Sequence, residues 1–279
     1  MKGEPFMNRI FRRIAVISLA AVMSISMVPV TAMAKTAKKV DLTGDGKVDT
    51  VKIIKTRDSS APENYSRLKI KINGKTAFNK KTYYFYVKTQ TIKLANKKAF
   101  LAMYAPGEDD AADYNGIFAY KKGKLTRIVD FNKCLPGYDV SLKKITVSGN
   151  TVTATLGQDT YGLGVCDYKT SFTWKNTKFV QNPAMTDFTI GTGDGAWVEK
   201  GSTVTLSTDA LAKTSLDSDA ETTTLIEGTE AEFADVTIKG KNAYFSLVID
   251  STTYWIQIPK DYKFDTENGT FFTETFMAG

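Results

Sequence analysis

The feature that most limits what this chain can become is its punctuation. LKIKIN (Leu68 to Asn73) alternates apolar and polar residues and runs straight into Asn73-Gly74. Asn-Gly tolerates the positive φ angles of tight hairpin turns, so this pairing predicts two antiparallel strands. The device recurs. IFAY (Ile117 to Tyr120) and LTRIVDF (Leu125 to Phe131) flank Lys122-Gly123. KITVSGNTVTATL (Lys144 to Leu156) turns at Ser148-Gly149-Asn150, and DYKTSFTWKNTKFV (Asp167 to Val180) at Lys175-Asn176. YYFYVK (Tyr83 to Lys88) and FLAMY (Phe100 to Tyr104) read as further strands. Beyond the N-terminal leader, no segment of about twelve residues sustains a helical apolar period. The expected class is all-β and antiparallel.

The N-terminus has a different character. NRIFRR (Asn8 to Arg13) is basic and Ile14 to Val30 is apolar, followed by small residues at Ala32 and Ala34. Basic, apolar, then A-x-A is the order of a secretory signal peptide, so residues 1–34 are expected to be removed before Lys35. An uncleaved anchor is the competing reading, since the apolar run nearly reaches spanning length. No cysteine stands at the cut, so lipid attachment of the lipoprotein kind has no support. No other apolar run approaches membrane length. In an oxidising compartment the two cysteines, Cys134 and Cys166, can form one disulfide, and buried thiols are the alternative. Closing a loop of about 30 residues would add roughly 3–4 kcal/mol on the chain-entropy estimate.

Charge divides the rest of the chain. Residues 35–183 carry 27 Lys+Arg against 13 Asp+Glu, whereas residues 184–279 carry 6 against 16. Opposite signs predict two domains, 35–183 and 184–279, with QNPAMTDF (Gln181 to Phe188) as linker. The basic half can meet an anionic cell envelope, face the acidic half, or simply be solvated. The acidic half again alternates, in TVTLST (Thr203 to Thr208), TTTLIEG (Thr222 to Gly228), AEFADVTIKG (Ala231 to Gly240), AYFSLVID (Ala243 to Asp250) and TTYWIQIP (Thr252 to Pro259). Five short strands this close predict a small barrel, which removes free sheet edges. Asp209 to Ala220 reads as a long loop, and Thr266 to Phe276 as a strand or a tail.

One stretch carries chemistry. In DLTGDGKVDTV (Asp41 to Val51) the carboxylates of Asp41, Asp45 and Asp49 recur every fourth residue. Taking Asp41 as position 1, Asp41, Thr43, Asp45 and Asp49 stand at 1, 3, 5 and 9, Gly46 at 6 and the Lys47 carbonyl at 7. A hard cation collects oxygens at this rhythm, and the glycine permits the turn that gathers them. Position 12 is Lys52 rather than the glutamate of an EF-hand, and the β-branched residues that follow predict a strand. A D-x-T-G-D-G-x-x-D loop entering a strand resembles the FG-GAP/VCBS type of calcium loop. That resemblance implies structural Ca2+ on Asp41, Thr43, Asp45, the Lys47 carbonyl and Asp49. It also implies blade-like sheets, in a propeller fragment or a sandwich, since only one such loop is present. A bare Asp/Gly turn without metal is the alternative.

The second half is similar to bacterial SH3-like (SH3b) modules, through LIEGTEAEF (Leu225 to Phe233) and the hairpin Ala243 to Ile258 with Tyr254-Trp255. Such modules bind cell-wall peptides or glycans, or serve as spacers. Tyr84 and Tyr86 fall on one strand face, where an aromatic row can stack on sugars or pack in a core. Tyr84, Tyr86, Tyr254 and Trp255 are thus the candidate ligand contacts.

The chain contains no histidine. That removes Ser-His-Asp and Cys-His catalysis and the usual zinc sites. G-x-S-x-G and P-loop motifs are absent, and Gly191-Thr192-Gly193-Asp194-Gly195 precedes no helix. The expectation is a secreted or cell-wall-associated, non-enzymatic binding module with no nucleic-acid partner and no membrane span after cleavage. The rival is a carboxylate-dependent glycan hydrolase using Glu108, Asp109, Asp110 or Asp113.

Overall fold

The computed structural model describes residues 34–36, 40–107, 114–261 and 269–276. Glu108, Asp109, Asp110 and Asp113, and all but Ala34 of the leader, lie outside the described residues. What is described is all-β, in four antiparallel sheets. The first sheet is β1 (Ala34–Thr36), β2 (Val51–Arg57), β3 (Tyr65–Ile72) and β4 (Lys75–Tyr84), in chain order. The second is β5 (Lys88–Lys93), β6 (Ala99–Tyr104), β7 (Gly116–Lys121) and β8 (Lys124–Asp130), also in chain order.

Burial explains two kinds of strand sequence. LKIKI alternates because the first sheet has one wet face: Leu68, Ile70 and Ile72 are buried while Lys69 and Lys71 are not. FLAMY does not alternate because the second sheet is buried on both faces. Leu101 and Met103 pack toward the first sheet, and Phe100, Ala102 and Tyr104 toward the third. Ile117 and Ala119 likewise point one way and Phe118 the other.

The third sheet contains β9 (Gly137–Ser148), β10 (Thr151–Thr160), β11 (Gly164–Lys175), β12 (Lys178–Gln181), β13 (Thr186–Gly191) and β14 (Trp197–Val198). β11 pairs with β10 along its length, and its other edge takes β12 and β13 in succession. Strand pairing therefore crosses residue 183, where the charge changes sign. One hydrophobic core also crosses it, from Ile92 to Phe272.

The fourth sheet contains β15 (Thr203–Thr205), β16 (Ala210–Lys213), β17 (Thr222–Leu225), β18 (Glu230–Lys239), β19 (Asn242–Ile249) and β20 (Thr252–Gln257). Its order is β15-β18-β19-β20-β16-β17. The end strands β15 and β17 do not pair with each other among the described residues, so no closed barrel forms there, contrary to the expectation. The sheets do not close into a propeller among the described residues either. β16 lies inside the stretch expected to be a loop. Ala210 and Ala212 are buried and Leu211 is 69% exposed, an alternation too short and too alanine-rich to stand out in sequence.

The C-terminal stretch 269–276 forms isolated bridges instead of a regular strand. Thr270 pairs with Gly162, Phe272 with Leu206, and Thr275 with Thr192. It thus ties the β10–β11 turn and the β13–β14 turn to the segment just after β15.

Candidate functional site

The Asp41–Asp49 loop sits at the start of β2 and is closed by backbone pairing of Val40 with Asp49, whose N–H donates to the Val40 carbonyl at 2.7 Å. Asp49 is buried, and one of its oxygens accepts from the N–H groups of Leu42 (2.7 Å) and Thr43 (2.8 Å). Its other oxygen accepts from the Asn73 side-chain amide at 2.5 Å. Asp41 accepts from Gly44 N–H at 2.6 Å and Gly46 N–H at 2.9 Å. Gly44 and Gly46 both have positive φ (77° and 83°), which lets successive amides turn inward.

The Thr43 hydroxyl lies 3.4 Å from an Asp41 oxygen and 3.3 Å from an Asp49 oxygen. The loop therefore brings Asp41, Thr43 and Asp49 together. Asp45 is exposed and turned onto the Lys47 N–H at 2.8 Å, and Lys47 is exposed as well. No set of three or more His, Cys, Asp or Glu side chains able to hold a metal forms among the described residues. What converges is two carboxylates and a hydroxyl, all hard oxygen donors that suit calcium better than a transition metal. None of the three aspartates is in an ion pair with Lys or Arg among the described residues. Amide N–H groups and the Thr43 hydroxyl face their charge.

Asn73 is the member of this site that sequence reading missed. It was legible only as a hairpin residue, and it is one, with φ of 49°. Its side chain also accepts from Thr50 N–H (2.9 Å) and donates to Asp49, linking the β3–β4 turn to the loop.

The other candidates separate. Tyr84 is fully buried, stacked on Tyr65 at 5.2 Å, with its hydroxyl donating to the Arg67 carbonyl at 2.9 Å. Burial holds its proton well above the usual tyrosine range. Tyr86 lies beyond the end of β4, is 41% exposed and sits edge-on to Tyr104. The two do not form one exposed row. On β20, Tyr254 packs against the core and Trp255 is half-buried, as opposite faces of a strand require.

Cys134 and Cys166 do not form the expected disulfide; both are free and buried. Cys134 follows a single 3-10 turn (Phe131–Lys133), while Cys166 lies on β11 and its thiol donates to the Gly164 carbonyl at 3.2 Å. Sequence spacing carries no information on whether two Cβ atoms face each other. Burial in apolar surroundings pushes both thiols far above their usual range. Tyr168, near both thiols, is also held protonated by burial, its hydroxyl donating to Gln158 at 2.6 Å.

Beside the acidic loop lies a groove of about 560 Å³. Asp41 and Thr43 form one wall, with Lys97, Lys98, Lys121 and Trp174 elsewhere on its lining. Two of the segments that build it are held by backbone hydrogen bonds to the β9–β10 turn behind them. Ala95 N–H donates to the Gly149 carbonyl and Trp174 N–H to the Asn150 carbonyl, both at 2.9 Å.

Comparison with protein-family models, with curated proteins and with solved structures finds no match for this chain.

Proposed function

We propose that this protein is exported and works outside the cell as a non-enzymatic binding module, with calcium held structurally at the Asp41–Asp49 loop. One observation carries the reading: Asp41, Thr43 and Asp49 converge on a loop whose aspartates lack any basic partner among the described residues. Those three side chains would hold the ion. Asp45 and the Lys47 carbonyl are the further oxygens that the spacing supplies. Calcium would neutralise the repulsion that backbone amides only partly offset. The same segment already closes on Val40 and leans on Asn73, so an ion there would fasten the chain entry to the first sheet.

The leader pattern supports export. The run of the loop directly into β2 and the face-to-face meanders of the first two sheets support the FG-GAP/VCBS-like reading. The hairpin of β19 and β20 is the part of the fourth sheet in keeping with an SH3-like module.

The test is thermal unfolding of the purified protein in EDTA and then in graded calcium. The reading expects Tm to rise with calcium and the rise to vanish in Asp41→Ala and Asp45→Ala variants. No shift up to millimolar calcium would overturn the metal assignment. A glycan-hydrolysis screen showing robust turnover would overturn the non-enzymatic one.

A further inference from the structure

The groove beside the loop has a built floor. Phe100 is buried, and the Trp174 ring lies 4.9 Å from it centroid to centroid. Phe179 sits 5.1 Å from each of them. Trp174 itself is only half-buried, and the Lys98 ammonium lies 5.6 Å from its ring centroid.

Apart from Asp41 on the loop wall, the charged groups of the lining are cationic. Lys97, Lys98 and Lys121 line the groove, while Lys122, Lys175 and Lys178 stand on the turns that enclose it, and all six are exposed. None of them is in an ion pair among the described residues. Elsewhere Lys143 pairs with Asp167, Lys169 with Asp187 and Lys200 with Asp235, whereas Lys52, Lys69 and Lys71 on the first sheet are, like the groove lysines, in no ion pair among the described residues; what sets the groove lysines apart is the aromatic floor beside them. Unpaired cations around an aromatic platform suit a ligand that alternates apolar faces with anionic groups. A sugar ring presents such a face to an aromatic side chain, and its carboxylate presents a partner to lysine. A phosphate polymer without rings would leave the platform unused.

We propose that this groove binds an acidic polysaccharide, with sugar rings on Trp174 and carboxylates on Lys97, Lys98 and Lys121. The inference rests on the reading of the protein as an extracellular binding module but needs no calcium.

The experiment is calorimetric titration of the purified protein with short oligogalacturonates in EDTA, at low and at physiological salt. Neutral malto-oligosaccharides and inorganic polyphosphate are the comparison ligands. The expected result is binding to oligogalacturonate and none to the neutral sugar. Affinity should fall about tenfold in Trp174→Ala and be lost in the triple variant Lys97→Glu, Lys98→Glu, Lys121→Glu. A second triple variant on the outer face of the first sheet, Lys52→Glu, Lys69→Glu, Lys71→Glu, changes net charge equally and should bind as the parent does. Equal loss in both triple variants would reduce the effect to general charge attraction and overturn the site. Polyphosphate binding as tightly, and indifferent to Trp174→Ala, would overturn the sugar assignment. Absence of oligogalacturonate binding, with the calcium shift in Tm intact, would overturn this inference alone. Binding with no calcium shift would overturn only the metal reading.

Discussion

Two irregular segments of this molecule are fixed in place by opposite means. The Asp41–Asp49 loop is held by its own polar atoms. Nearly every bond it makes stays within the loop, and Asn73 is the distant partner. The segment 269–276 is held by remote backbone and by apolar anchors. Phe272 is fully buried, edge-on to Phe233 at 6.2 Å and to Phe245 at 5.5 Å. Phe271 N–H donates to the Gly162 carbonyl at 2.7 Å, and Ser207 N–H to the Phe271 carbonyl at 2.9 Å. Glu274 accepts from Thr205 N–H at 3.1 Å. Gly164 has φ of 84°, and a Cβ there would sit 2.1 Å from the Phe276 carbonyl oxygen, so that crossing requires glycine. A locally satisfied loop can be tuned by an ion; a remotely docked strap can be tuned only by packing.

The sharpest way to break the contrast is to cut the strap's anchor. Phe272→Ala should cost about 3–5 kcal/mol in urea unfolding and leave any calcium response intact, because the cavity opens far from the loop. Asp49→Ala should cost about 3 kcal/mol, since it leaves the amides of Leu42 and Thr43 and the Asn73 side chain without their acceptor. That variant should also lose the calcium response, and differential scanning calorimetry in EDTA and in calcium reads both effects. In the parent, calcium at about 100 times its Kd should add about 2.7 kcal/mol. The same addition should leave the unfolding of Phe272→Ala shifted by an equal amount.

Alkaline pH sharpens the comparison from the strap's side, because Cys166 is buried beside the Gly164 crossing. Both thiols hold their protons more tightly in the folded chain than in the unfolded one. Their contribution is therefore fully present below the unfolded value of about 8.5 and is lost as pH rises above it, when the unfolded chain releases protons first. Each thiol should cost about 1.4 kcal/mol per pH unit beyond that point. Urea midpoints at pH 7.5 and 9.5 should drop in the parent and flatten in a Cys134→Ala, Cys166→Ala double variant. The smallest expected effect is none. Reductant should leave Tm unchanged, and thiol labelling after denaturation should find two reactive cysteines without prior reduction.

Much of the first sheet was legible in sequence. LKIKIN ending at Asn73-Gly74 gave strand, face and turn together, and the structure has them at β3 and β4. FLAMY was legible as a strand but not as one buried on both faces, because an apolar run does not say what covers it. Spacing picked out Asp41, Thr43 and Asp49 among the loop's oxygens, and the structure brings those three together. Asp45 turning to Lys47 rather than to Asp41 and Asp49 was not legible, since side-chain direction depends on local φ and ψ. Ala210–Lys213 was missed because alanines hide an alternating pattern.

The sequence by itself determined what is periodic or local: the all-β class, the hairpin turns and the polar chemistry of the Asp41–Asp49 loop. These follow from residue period and from side chains bonding within a few positions of themselves. Only the tertiary structure decided that β13 joins β11 across the change of charge, that both thiols stay free, and that Phe272 docks beneath the fourth sheet. It also placed Lys97, Lys98, Lys121 and Trp174 around one groove. Those outcomes depend on contacts between residues far apart in the chain. Burial and strand pairing choose among many such partners, and no short stretch of sequence records the choice.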